Sequence, residues 1–465
     1  MPRLHTKAEL ATVAQLFALQ FDLIDYQGQL FMPVDFETYA HQPTDPARTV
    51  WIPLSERKLR AVANALNILF QSPQEERSFK HMTMQFARHI EQTSFGVLMR
   101  TGDTISELTT EGQLVPVTAA RFIPNYISIP YVKNNPKTPE MWGYLTEWLG
   151  SESQAHSLLY HLATIFQPSW SAVKYVLLLG SGRNGKSTLL LMLQDILGRA
   201  NYSKVKRQMM SEQSPLMLDL NNKLANIVLD GMKEFLKDSS TEKTLVAGED
   251  LDIEIKYENA PYTVQTNALF IEGLQTEPRV SDKSVALQKR LVRFYFPNEY
   301  PLNKKFEDYM RQPEMLAALV ELMLQHWVTK DTLEEKLAIT AESMDLQMNA
   351  VWTNSPIIRF LEWMSGREMN FLEDIVNKKM MVDVFLLSYR SWCDNNGYKN
   401  IEDDYLLQVI GEHFTIGKKT FRINGKPTSR KYLEKVGSDT LNSIQALLRG
   451  ESIVAETEDE TILAE

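Results

Sequence analysis

The apolar positions change rhythm along this chain, and each change predicts an element. Residues 21–34, FDLIDYQGQLFMPV, read as two short strands turning near Gly28, and residues 104–117, TISELTTEGQLVPV, read alike about Gly112. Between them SERKLRAVANALNILF has helical spacing. KNNPKTPEMW, residues 133–142, is polar with two prolines and reads as a linker running into a helix start. Met141, Leu145, Trp148 and Leu149 then recur on one helical face, and SQAHSLLYHLATIF predicts a second helix. From about residue 172 to 300 the pattern switches to solid apolar runs, KYVLLL, ANIVLD, ALFIEGL and RLVRFYF, alternating with helical stretches such as STLLLMLQDILG. Alternation of this kind implies a largely parallel sheet with helices packed on it. Residues 301–350 read as helical, and a last helical unit over 355–449 contains the turn signal Asn424-Gly425.

These segments divide the chain into a mixed α/β N-terminal region (1–132), a helical linker or collar (133–171), an α/β core (172–350), a C-terminal domain (351–449) and an acidic tail (450–465). The total of 465 residues suits about three domains at roughly 150 residues each. No apolar run approaches the roughly 20 residues of a membrane span, and MPRLHTKAEL lacks the apolar stretch of a secretory leader. With a single cysteine, Cys393, read as a buried thiol, the expected setting is a reducing cytoplasm. The formal net charge is −10, so binding to nucleic acid would need cations concentrated in one channel or one small domain. His156 and His161 are five residues apart, off a shared helix face, and no zinc site is expected.

The chemistry centres on VLLLGSGRNGKSTLL, residues 176–190. Gly180, Ser181, Gly182, Arg183, Asn184, Gly185, Lys186 and Ser187 fit G-x-x-x-x-G-K-[ST] between a buried strand and a helix that begins near Lys186 and includes Thr188. Glycines let backbone N–H groups curl around an anion, and the helix aims its positive end at the same point. Lys186 would reach the β- and γ-phosphates of ATP, and the Ser187 hydroxyl would bind Mg²⁺. A carboxylate must share that ion, and Asp230, ending the strand ANIVLD, is the candidate. Glu234 reads as a residue of an exposed helix face.

GRNGKS at 182–187, IVLD at 227–230, EKTLVAGED at 242–250, LQTEP at 274–278 and QKRLVRFYF at 288–296 occur in that order. In this ordered set, the chain from about residue 100 to 440 resembles the superfamily 3 helicases of phages and plasmids. These form a branch of the AAA+ ATPases that includes the helicase part of poxvirus-type primase-helicases. LTTEGQLVPV…ISIPYV is similar to that family's helicase-associated N-terminal region. The resemblance implies a P-loop AAA+ core, ATP and Mg²⁺ as cofactors, and a homo-oligomeric ring, a hexamer, threaded by single-stranded DNA. It implies a sensor at Gln275, where relatives carry Asn, and an arginine at Arg290 offered to the neighbouring subunit's ATP, with Lys289 in reserve. Arg293 reads as a strand surface residue. Gly231 follows Asp230 where some relatives double the acid.

LDIEIKYENAPYTV, residues 251–264, reads as a hairpin turning near Asn259-Ala-Pro261. By resemblance it would project into the ring's channel, with Lys256 on the DNA backbone and Tyr257 stacking on sugar or base. GKKTFRINGKPTSRKYLEK, residues 417–435, has seven bases and one acid and reads as the wing of a winged-helix-like domain. Lys418, Lys419, Arg422, Lys426, Arg430 and Lys431 would grip phosphates. The tail after Arg449 carries six acids and no base and is expected to be solvated.

The resulting expectation is an ATP-dependent DNA helicase for replication of a phage or plasmid-like element. It would act on forked duplexes, alongside a separate primase or polymerase, because residues 1–130 show no paired carboxylates for primer synthesis. The alternative is an ATP-switched loading or origin-melting factor without processive unwinding. A small-molecule kinase fits the loop but not the large flanking domains.

Overall fold

The structure is a computed structural model that describes residues 7–41, 43, 45–66, 68, 70, 72–90, 96–119, 121–231, 240–254, 262–275, 290–338, 360, 363, 382–395, 414–423 and 426–436. The chain divides into two units, Met1–Thr340 and Ala341–Glu465.

The first hairpin forms where its sequence predicts. Helix α1 (Lys7–Gln20) leads into β1 (Ile24–Tyr26) and β2 (Gln29–Asp35), which pair antiparallel. Gly28 at φ +70° makes the turn without a Cβ clash. β3 (Thr49–Pro53) adds to β2, and after α2 (Glu56–Ala65) and α3 (Pro73–Phe86) the short β4 (Arg88–His89) adds to β1, giving the order β3-β2-β1-β4. A second sheet, β7-β6-β5-β8, joins β5 (Val97–Thr101), β6 (Thr104–Leu108), β7 (Leu114–Pro116) and β8 (Tyr126–Ile127). The hairpin expected about Gly112 is the β6–β7 pair.

The linker is fastened. Glu321, almost fully buried, accepts the backbone N–H groups of Asn134 and Asn135 (the latter at 2.9 Å) and the Thr138 hydroxyl. Helix α4 (Thr138–Leu149) starts with Pro139 in its first turn and ends at Gly150, φ +68°. Ser151 then caps α5 (Glu152–Ala163) by accepting from Gln154 N–H. Met141, Leu145, Trp148 and Leu149 are all buried, as their spacing predicts.

His161 on α5 is wholly buried and packs edge-on to Phe294. Its Nδ1 lies 2.8 Å from the Ser157 carbonyl oxygen, which requires the proton on Nδ1. Its buried Nε2 has no hydrogen-bonding partner among the described residues. Burial therefore pushes the imidazole down to about 4. The unfolded chain takes up this proton from about pH 6.5 downward and the folded chain only near 4, so stability is lost as pH falls through that window. At pH 5 the loss is about 2 kcal/mol relative to pH 7. Urea unfolding of wild type and His161→Gln at both pH values isolates it, the variant showing the smaller drop.

The central sheet carries β9 (Tyr175–Leu179), β10 (Tyr202–Ser203), β11 (Ala225–Val228), β14 (Leu269–Leu274) and β15 (Leu291–Tyr295), all parallel, in the order β10-β11-β14-β9-β15. Between β11 and β14 lie α8 (Ser240–Ala247) and the antiparallel pair β12 (Leu251–Ile253) and β13 (Tyr262–Val264). One sheet face, with Val176, Leu178, Ile227, Ile271, Val292 and Phe294, packs on α6 (Lys186–Leu197) and on α4, α5 and α10 (Pro313–Gln325). Helix α9 (Lys304–Met310) precedes α10. The other face, with Tyr175, Leu177, Phe270 and Leu274, packs on α7 (Arg207–Ser211), α8 and the β12–β13 pair. Covered on both faces, these strands need apolar residues at every position, which explains their unbroken runs.

A polar group lies under that second face. Arg207 and Glu242, 5% and 4% exposed, form a bidentate pair with Nε–Oε2 at 3.0 Å and Nη2–Oε1 at 2.8 Å. The guanidinium also stacks 5.2 Å from the Tyr175 ring centroid. Removing one charge strands the other in low dielectric. Glu242→Gln is expected to cost about 3–5 kcal/mol, read as a lowered urea midpoint. Arg293, read from sequence as a surface residue, is 2% exposed and donates to the Leu291 carbonyl oxygen. A strand paired with β9 and covered by helices leaves it no solvent face.

In the second unit, α11 (Val382–Asn395) buries Phe385, Tyr389, Trp392 and Cys393. Burial raises the Cys393 thiol pKa, which makes it a packing group. β16 (Phe414–Ile423) and β17 (Lys426–Val436) pair antiparallel, with the Asn424-Gly425 tip outside the described residues. Among the described residues no helix is long and apolar enough to cross a membrane.

Candidate functional site

Strand register assembles the site. β9, β11 and β14 are parallel, so their carboxyl ends share one edge. Leu274 pairs with Leu179, which sets Gln275 beside Gly180. Val228 pairs with Glu272, and Gly231 N–H donates to the Gly273 carbonyl at 2.8 Å, so Asp230 ends at the same level. Asp230, Gln275 and Ser187 are all exposed there. From β9 the chain crosses to β10 at one end of the sheet, whereas β15 lies on the other side of β9. Parallel α/β sheets leave a ligand crevice at the carboxyl end of such a reversal.

The loop from Gly180 to Gly185 stands in that crevice. Gly185 has φ +93°, and a Cβ on it would strike the Trp148 indole at 2.7 Å. Glycine is thus required both by the backbone and by the helix α4 ring behind it. Gly180, φ +147°, is held by Asn184, whose Nδ2 would collide with any Cβ there and whose buried amide donates to the carbonyl oxygens of Ser181 (2.7 Å) and Phe296 (3.2 Å). Asn184 thereby ties the loop to the end of β15. Lys186 opens α6 and is 7% exposed. Its Nζ donates to the carbonyl oxygens of Gly180 and Ser181, both at 2.8 Å, and to Asn184 Oδ1 at 2.7 Å. Burial pushes the ammonium pKa down to about 8. These three acceptors are neutral, and an anionic phosphate oxygen is the stronger partner for an ammonium. Thr188, one turn position further, is half-buried.

Arg290 is at the opposite edge. Leu291 pairs with Tyr175, so Arg290 stands at the amino end of β15, about 20 Å of strand away from the level of Gly180. No arginine side chain spans that distance within one subunit. The core motifs thus separate into a set that meets (180–188, Asp230, Gln275) and a residue that does not. Lys256, Tyr257, Glu234 and Lys289 lie outside the described residues, although β12 and β13 form the two arms of the expected hairpin. In the C-terminal hairpin, Lys418 and Lys431 are paired across the strands and exposed, and Lys419 pairs with Arg430. Arg422 and Lys426 occupy the strand ends beside the tip.

Sequence reasoning missed Glu272. It sits in β14, 1% exposed, and receives a hydrogen bond from the Tyr175 hydroxyl at 3.3 Å. Burial raises its carboxyl pKa to about 7. The signal was a lone acid in the apolar run LFIEGL, next to a glycine. A cavity of about 230 Å³, lined by Asn125, Asn222, Lys223, Asp250, Gln265 and Asn267, opens at the amino edge of the sheet. Neither the glycine loop 180–185 nor the start of α6 lines it. No group of three or more His, Cys, Asp or Glu among the described residues has the arrangement of a metal site. Ser187 and Asp230 are too few to form one without phosphate oxygens, as is usual for Mg²⁺.

Residues 178–276 match a family described as a family of unknown function (DUF5906). That stretch runs from the strand before the loop to just beyond Gln275. No curated protein matches the chain. Among solved structures, the chain is similar to "The A form apo structure of NrS-1 C terminal region-CTR", at 12% identity over 92% of this chain and 98% of that one, with TM-score 0.48. It is also similar to "The apo structure of NrS-1 C terminal region (305-718)", at 13% identity over 92% and 98%, with TM-score 0.41.

Proposed function

We propose that this chain is an ATP-driven DNA motor, a helicase of superfamily 3 type with an AAA+ core, serving replication of a phage or plasmid-like element. The observation that carries the reading is the meeting of a glycine loop, a buried lysine, an exposed acid and an exposed amide at the strand-order reversal. Lys186 would leave its three neutral acceptors for the β- and γ-phosphates, and loop N–H groups would bind the remaining oxygens. Ser187 and Asp230 would hold Mg²⁺, whose charge offsets that of the phosphates. Gln275 would hydrogen-bond water or the γ-phosphate.

The remote placement of Arg290 supports a shared site. A cation needed at the γ-phosphate but fixed at the far edge of its own sheet can serve only a neighbour's nucleotide. Repeating that head-to-tail contact closes a ring, a hexamer in this reading. Single-stranded DNA would thread it past the β12–β13 hairpin, and the basic β16–β17 hairpin, with its exposed Lys418 and Lys431, would serve as the wing that grips a duplex or partner. An acidic chain then needs positive charge only along these two hairpins.

Displacement of one strand from a forked duplex tests the reading. Wild type is expected to separate the fork with ATP and Mg²⁺, and Lys186→Ala is not. Equal displacement by both sinks it. Hydrolysis stimulated by single strands without displacement assigns the chain to loading or origin melting instead.

A further inference from the structure

We infer that Glu272 is the carboxylate that orients the attacking water, standing in from the neighbouring strand for the side chain that position 231 lacks. The inference rests on the nucleotide-hydrolysing reading above and adds a residue to it.

Three observations converge. The residue after the exposed Asp230 is Gly231, so the acid-bearing turn offers no second side chain. A Cβ built on Gly231 would lie 2.5 Å from Glu272 Cδ and 2.6 Å from its Cγ, and nearer still to Oε1. The Glu272 carboxyl group therefore occupies the place where a side chain at 231 would begin. Second, this carboxyl is buried in an apolar strand, within electrostatic reach of the buried Arg207 and Glu242. Third, it is aimed. The Tyr175 hydroxyl, from the strand that leads into the phosphate loop, donates to Oε2. That leaves Oε1 as the oxygen against Gly231, one residue from Asp230. A phosphoryl-transfer site needs a group that orients its nucleophile, and this carboxyl stands against the turn that carries Asp230.

In the step this serves, the water oxygen forms a bond to the γ-phosphorus while hydrogen-bonded to the carboxylate. The bond from that phosphorus to the β,γ-bridging oxygen breaks, and its electron pair leaves with ADP. The proton lost by the water passes to the γ-phosphoryl group and departs with inorganic phosphate. Glu272 holds the water and ends the cycle unchanged.

The test uses the full chain with Mg²⁺ and ATP. Glu272→Gln keeps the size of the side chain and a hydrogen bond to Tyr175. It is expected to bind nucleotide within about twofold of wild type and to lower single-turnover hydrolysis by about 100-fold. A merely structural role would be satisfied by glutamine. The relocated carboxylate gives a second readout, because Glu272→Gly vacates the space that a Cβ at 231 needs. Gly231→Glu combined with Glu272→Gly is expected to recover at least tenfold over Glu272→Gly alone. Hydrolysis by Glu272→Gln within threefold of wild type overturns the inference, as does a folded double variant no faster than Glu272→Gly. A wild-type chain that neither binds nor hydrolyses ATP overturns the parent reading, and this inference with it.

Discussion

Lys186→Ala is expected to lower ATP hydrolysis by on the order of 10²–10³-fold and to abolish strand displacement. On the proposed reading the loss follows from the removal of the buried ammonium that would meet the charge developing on the γ-phosphoryl. In the structure its three protons all go to loop acceptors, the carbonyl oxygens of Gly180 and Ser181 and the amide oxygen of Asn184. On the proposed reading it exchanges these neutral acceptors for anionic phosphate oxygens, the stronger partners of an ammonium. Thermal unfolding of the variant checks that the loop change leaves the sheet intact. Hydrolysis at the wild-type rate by a folded Lys186→Ala chain removes the nucleotide from this crevice.

Arg290→Ala should show the larger kinetic effect, about 10³–10⁵-fold on turnover, with nucleotide affinity nearly unchanged. Its distance from the phosphate loop of its own sheet makes the expected behaviour collective. Subunits carrying Lys186→Ala and subunits carrying Arg290→Ala should each lose activity alone. Mixed, they should form some interfaces with an intact lysine on one side and an intact arginine on the other, and part of the activity should return. Turnover per subunit should also rise with protein concentration through the range where rings assemble. No recovery on mixing, with turnover independent of concentration, means that one molecule completes its own site and that Arg290 has no part in it.

Much of the core was legible because its signals are local. Gly180 and Gly185 are legible as glycines because both take positive φ within a short loop, whereas the close approach of Trp148 and Phe296 that also requires them comes from distant parts of the chain. The buried runs of β9, β11, β14 and β15 carry their own evidence of two-sided burial. The helical face of Met141, Leu145, Trp148 and Leu149 does too, and all four residues are buried. Arg293 was misjudged for a related reason. A lone charge in a strand reads as a solvent face unless one knows that helices cover both sides.

Residues far apart in the chain meet only through strand order and register, and those depend on which crossovers pack. Nothing near Glu272 in the sequence announces that its carboxyl lies against Gly231, 41 positions earlier. By itself the sequence determined that a strand, a glycine loop and a helix would follow one another here, because those preferences are set by backbone sterics and local apolar spacing. Tertiary structure alone decided that Asp230 and Gln275 share its edge while Arg290 does not. Parallel pairing aligns the ends of strands brought together by packing, and that alignment has no local cause in the chain.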